Sequence, residues 1–99
     1  MSRLIRVTLN DTLIAESNQT KSIEGNYYFP PDSIVKEHYV SSDTISHCSW
    51  KGKANYYTIC GEKDVAWYYS DPLEKAKDIK GYVAFYKGKV DIEETAATS

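Results

Sequence analysis

The sequence is short of most features that would mark a catalytic or binding class. Two cysteines in 99 residues are too few for a disulfide scaffold and cannot supply the four ligands of a structural zinc site. His38 and His47 add two ligand types, but the spacing matches no Cys/His zinc motif, so no metal is expected. No apolar run approaches the roughly 20 residues that span a bilayer. The opening MSRLIRVTLN lacks the long apolar centre of a signal peptide, so the expectation is a cytoplasmic protein with no membrane partner. Excess charge is also missing: 12 basic against 14 acidic residues leave −2, which gives no field for gripping a phosphate backbone. Nucleic acid is therefore not an expected partner. CGEKD and YKGK carry one glycine each and join no buried strand to a helix, so there is no phosphate loop. Nor is there a Ser/His/Asp order or a G-x-S-x-G elbow. No cofactor is expected.

Tyrosine is what the chain has in quantity, nine against two phenylalanines and two tryptophans. Tyrosines put rings into a core and hydroxyls at its edge, which suits a thin sandwich or a polar-lined pocket. With 41% hydrophobic residues, the length suits one core, expected over residues 1–92, with 93–99 as a polar, flexible C-terminal tail. Short alternating runs punctuated by turns argue for a mostly β domain of antiparallel sheets with at most one or two short helical turns. RLIRVTLN and TLIAES read as a hairpin about Asn10-Asp11, while NQTKSIEGN reads as a loop. YYFPP is a strand ended by Pro30 and Pro31, and Asp32 or Ser33 is placed to cap a helical turn before IVKEHYV. DVAWYYS and GYVAFYKGKVDI are further strands, separated by a turn or short helix at DPLEKAKDIK.

The stretch SDTISHCSWKGKANYY reads as a hairpin about Lys51-Gly52. An even-numbered loop pairs Ser49 with Ala54 and Cys48 with Asn55. One face then carries Thr44, Ser46, Cys48, Trp50, Asn55 and Tyr57, and the other Asp43, Ile45, His47, Ser49, Tyr56 and Cys60. On that register Cys48 and Cys60 lie on opposite faces, too far apart for a disulfide. His47 points away from Cys48, so His-Cys is not by itself a catalytic pair. Trp67 and Tyr69 share a face of the DVAWYYS strand, and with Trp50 and Tyr57 they are candidates to line a cage or cleft.

Together YYFP, SDT, HCSWKGKANYY and DVAWYYSDPLEKAKDIKGYVAFYKGKV resemble the family catalogued as domain of unknown function 427, over roughly residues 4–92. The most specific parts are Cys48, Lys51 and Gly52 in the turn, Ala66, Trp67, Tyr69 and Pro72, and Gly81, Val83, Ala84, Phe85 and Tyr86. Ser49 stands where the family often has proline. The resemblance implies a β-tent, or Mss4-like, fold of antiparallel sheets meeting at an angle, similar to methionine sulfoxide reductase B and the ligand-binding domain of cereblon. The Cys-x-x-Cys knuckles of zinc-bearing relatives are absent, so the resemblance implies no zinc. The family also carries a nucleotidyltransferase-like label, which neither a phosphate loop nor paired metal-binding aspartates support here.

Three functional readings follow. The favoured one is a module binding a small molecule or peptide in an aromatic-lined cleft around Trp50, Tyr57, Trp67 and Tyr69, with Asp43, Thr44 and Lys51 at its rim. The second is a thiol enzyme with Cys48 as catalytic nucleophile or redox centre, tuned by His38, His47 or Lys51. The third is a protein-protein interaction module, which needs only an exposed sheet edge and leaves a homo-oligomer open.

Overall fold

Tight hairpins organise the chain. In the computed structural model, which describes residues 3–96, β1 (Arg3–Leu9) and β2 (Thr12–Ser17) are joined by Asn10 and Asp11 at φ 51° and 66°. Two successive positive-φ residues suit a type I′ turn, and short polar side chains tolerate that region. The same device joins β3 (Lys21–Ile23) to β4 (Asn26–Tyr28) through Glu24 and Gly25, at φ 53° and 82°. It also joins β6 (Gly52–Ile59) to β7 (Glu62–Tyr68) through Cys60 and Gly61, at φ 50° and 81°. The loop expected over NQTKSIEGN is therefore partly strand, and Cys60 sits in a turn.

The remaining strands are β5 (Tyr39–Cys48), β8 (Val83–Phe85) and β9 (Asp91–Ala96). Three antiparallel sheets result, in the orders β2-β1-β9, β3-β4 and β5-β6-β7-β8. The fold is mostly β, as the alternation predicts. Helical structure among the described residues is confined to 3-10 turns at Pro31–Ser33, Lys36–His38 and Glu74–Ile79, and no helix is long and apolar enough to cross a membrane. The first turn has no side-chain cap. Asp32 and Ser33 lie inside it, and the Ser33 hydroxyl donates to the Pro30 carbonyl at 2.7 Å.

Two strand expectations change at the C-terminal end. GYVAFYKGKVDI is not one strand, because the Lys89 N–H turns back to the Tyr86 carbonyl at 2.9 Å and separates β8 from β9. Residues 93–96, expected in the tail, complete β9 and pair with β1 from Arg3↔Ala96 to Thr8↔Asp91. This pairing satisfies a second edge of β1, and Glu94 anchors it by accepting from Arg3 at 2.6 Å and from the Tyr27 hydroxyl at 2.7 Å. Residues 97–99 of the expected tail lie outside the described residues.

Two buried clusters result. Ile5, Val7 and Ile14 of the three-stranded sheet pack with Phe29, Ile59, Val65 and Phe85, where the rings of Phe29 and Phe85 meet edge to face at 5.4 Å. Tyr28, Ala54, Tyr56, Tyr69, Ile79 and Ala84 form the second cluster. Alternation along β6 makes the division: Ala54 and Tyr56 go to the second, Tyr57 and Ile59 to the first. Reciprocal bonds between Phe29 and Val83, at 2.7 and 2.8 Å, tie the end of β4 to β8.

Candidate functional site

The β5–β6 turn departs from the expected register. Cys48 pairs with Gly52 and Ser46 with Ala54, so the loop is the three residues Ser49, Trp50 and Lys51. Docking shapes it. Gly52 has φ 106°, and a Cβ there would lie 3.4 Å from both the backbone N and the Cγ of Leu73, while the Leu73 N–H donates to the Lys51 carbonyl at 2.9 Å. An odd-numbered loop exchanges faces between the strands. Ser46 thus comes to share a face with Tyr56, their hydroxyls 2.8 Å apart, and Tyr57 goes to the opposite face from the one expected for Cys48. A further irregularity between Ser41 and Ile45 shifts the register again.

Lys51 turns inward, and several candidates gather round it. Its side chain is 8% exposed, ion-paired with Glu24 at the tip of the β3–β4 hairpin. Its ammonium lies 5.1 Å from the Trp50 ring centre, 5.9 Å from Tyr69 and 6.0 Å from Tyr28. Burial opposes the charge, but the Glu24 hydrogen bond and these surroundings outweigh it, leaving the Lys51 pKa above its ordinary value. Lys51 therefore holds its proton at neutral pH and is no free-amine nucleophile. Burial pushes the neighbouring Tyr69 hydroxyl up to about 12.

Trp67 adjoins this group without facing Lys51. It meets Tyr28 edge to face at 6.4 Å and Tyr86 at 4.7 Å. Tyr86 donates to the Tyr56 hydroxyl at 3.4 Å, and that bond, with burial, raises its pKa to about 12. Thr44 is engaged elsewhere, since it and Ser42 each donate to the Asp64 carboxylate at 2.6 Å. Those two bonds hold the Asp64 pKa below its ordinary value. Asp43 is exposed.

Cys48 is half-buried and packs against the second cluster, and both thiols are free. His38 precedes the ten-residue β5 that Cys48 ends. The paired stretch of β6 covers only Gly52–Ile59, so at about 3.3 Å per residue His38 and Cys48 lie at least roughly 20 Å apart. His47 alternates to the other face of β5. The fold thus gives Cys48 neither histidine as a base.

A further concavity lies on the other face of the four-stranded sheet. It is a cleft of about 450 Å³, floored by Tyr57, Tyr68 and Val83. Tyr57 and Tyr68 stack at 4.6 Å with 22° between their planes, and Tyr39 meets Tyr57 edge to face at 5.2 Å. Burial, and then the neighbouring Tyr68, raise the Tyr57 pKa, so its hydroxyl stays protonated at neutral pH. Pro31 and Ile34 form one wall and Gly81 the other, with Lys36, Ser70 and Lys80 at the rim. The bridge between Tyr69 and Lys80, and the Gly81 N–H bonded to the Tyr69 carbonyl at 2.9 Å, fix the second wall to the end of β7. Gly81 has φ 77°, and a Cβ there would sit 3.7 Å from the Pro31 ring.

Of the candidate binding residues read from the sequence, Tyr57 alone lines this cleft, together with Gly81 and Val83 of the family motif. Trp50, Lys51 and Tyr69 come together around the buried ammonium, and Trp50 also lines a smaller hollow of about 370 Å³ with Ser49, Leu73, Glu74 and Lys75. Sequence reasoning missed Tyr68, Lys36 and Lys80. The alternation in DVAWYYS does put Tyr68 opposite Trp67, and the β6–β7 register, Asn55↔Tyr68 and Tyr57↔Ala66, is what brings Tyr57 to the same face as Tyr68.

The family model described as "Domain of unknown function (DUF427)" matches residues 1–96. No curated protein matches the chain.

Proposed function

The chain belongs to the DUF427 family, and from that premise we propose that it is a binding module for a small molecule, held in the cleft against Tyr57 and Tyr68. The observation that carries this is the cleft itself, about 450 Å³ with a stacked tyrosine pair as its floor and apolar walls. That volume lies within the usual range for ligand sites, and apolar walls with a few polar rim groups are their usual lining. The thiol-enzyme reading has less support, since neither histidine reaches Cys48 and Lys51 is committed to Glu24. A β-tent architecture fits the three-stranded and four-stranded antiparallel sheets that meet at the first buried cluster, and two free thiols fit a reducing compartment such as the cytoplasm.

A fragment library screened by ligand-observed NMR tests the reading on the wild type, Tyr68→Ala and Trp50→Ala. Hits should vanish with Tyr68→Ala and survive Trp50→Ala. The reverse pattern would move the site to the hollow beside Trp50.

A further inference from the structure

We infer that the ligand of this cleft is a small planar molecule bearing one anionic group, with its ring on the Tyr57–Tyr68 pair and its charge between Lys36 and Lys80. The inference rests on the binding reading above and adds the ligand's chemistry. Two observations carry it. The first is the charge balance of the lining. Lys36 and Lys80 stand at the rim, no lining residue is acidic, and neither lysine is in an ion pair among the described residues. The chain as a whole is net negative, so two unpaired lysines at the mouth of this cleft run against the general charge. Such a mouth favours an anion and disfavours a cation.

The second observation is the shape and chemistry of the floor. Tyr57 and Tyr68 stack on each other at 4.6 Å and 22° from parallel, and Tyr39 meets Tyr57 edge to face at 5.2 Å, so the rings are held in place. Ring edges and the outer face of such a stacked pair accept a further flat π-system by edge-to-face or offset contact, which a bulky aliphatic group makes less well. Pro31, Ile34 and Val83 supply apolar contact around the ring, and Ser70 gives a hydroxyl beside Lys80. The contrast with Lys51 is instructive. There the aromatic cage already holds its own cation, paired with Glu24, while here the aromatic surface is open and the cations stand apart from it.

Three probes with one skeleton separate the parts: 1-naphthoate, the neutral naphthalene-1-carboxamide and the cationic 1-naphthylmethylammonium. Each is titrated by calorimetry and amide-resolved NMR into the full chain, and into Lys36→Ala, Lys80→Ala, Tyr68→Ala and Tyr68→Phe. Naphthoate should bind at least about tenfold tighter than the carboxamide, and each lysine variant should weaken it about fivefold, as expected for one partly exposed ion pair. The advantage should shrink as salt rises from 20 mM toward 500 mM. Tyr68→Phe should keep binding, which separates the ring from any folding defect of Tyr68→Ala. Equal affinity for naphthoate and carboxamide would overturn the anionic ligand while leaving the binding reading standing. Preference for the ammonium would overturn the charge argument outright. Failure of all three probes to shift any resonance of the cleft would overturn this inference together with the reading it rests on.

Discussion

Replacing Lys51 by methionine tests whether the buried ammonium stabilises the turn or merely occupies it. Methionine keeps the length and most of the apolar contact, so the change removes mainly charge. Three rings within about 6 Å of an ammonium contribute roughly 0.7 kcal/mol each, about 2 kcal/mol together. Desolvating the ammonium works against this. The raised Lys51 pKa decides the sign, because partners that outweigh burial favour the charged form in the fold. Allowing for that offset, Lys51→Met should cost about 1 kcal/mol, a fall of roughly 5 °C in Tm for a domain of this size. Urea unfolding followed by tryptophan fluorescence reads it directly, since Trp50 lies against the ammonium.

The pH dependence gives the sharper form of this test. A raised folded pKa means that the Lys51 contribution is fully present below its unfolded value of 10.5 and is lost as pH rises through the folded one. Glu24 runs the other way. Its pKa is lowered, chiefly by the Lys51 hydrogen bond, so its contribution is present above 4.5 and is lost as pH falls through the folded value. The gap between wild type and Lys51→Met should therefore be level across neutral pH, narrow at low pH as Glu24 is protonated, and close at high pH as Lys51 loses its charge. A variant as stable as the wild type, or a gap indifferent to pH, would refute the reasoning.

Gly52→Ala should cost about 1–3 kcal/mol, because φ 106° is strained for an L side chain and the new Cβ meets Leu73 at 3.4 Å; an unchanged urea midpoint would show that the turn relaxes freely. Native-state alkylation followed by mass spectrometry should label exposed Cys60 before half-buried Cys48, and denaturing titration of the monomer should count two thiols. Faster labelling of Cys48 would revive the thiol-enzyme reading. The lowered Asp64 pKa makes its contribution to stability present above its unfolded value of 3.8 and lost as pH falls through the folded one. Thr44→Val with Ser42→Ala should move the Asp64 carboxyl resonance midpoint upward in an NMR titration, and an unmoved midpoint would show the two hydroxyl bonds to be inconsequential.

The β class, the Asn10-Asp11 hairpin and the strand around Trp67 were legible because alternation and Asx turn residues act locally. The Glu24-Gly25 and Cys60-Gly61 turns were less so, since each puts a residue without a strong turn signal at the first positive-φ position. The register of β5 on β6 depends on Gly52 meeting Leu73, a contact between segments distant in sequence, and no local pattern encodes it. That error of loop parity put Tyr57 on the face of Cys48, while the β6–β7 register, Tyr56↔Trp67 and Tyr57↔Ala66, is what separates Tyr57 from Trp67. Trp50, Lys51 and Tyr69, read from the sequence as part of one concentration of aromatic and polar groups, do lie together, but the Glu24 that pairs with Lys51 comes from a hairpin read as loop. Residues 93–96 of the expected tail join β9 by pairing with β1, a tertiary contact that polar composition does not reveal.

The claim that this domain binds its ligand on the Tyr57–Tyr68 face is tested most directly by mapping amide shifts in a ¹⁵N-labelled sample titrated with 1-naphthoate. The account predicts saturable shifts concentrated at Ile34, Tyr57, Tyr68, Gly81 and Val83, absent in Tyr68→Ala. Shifts confined to Ser49, Trp50 and Leu73, or no saturable shift at all, would contradict it.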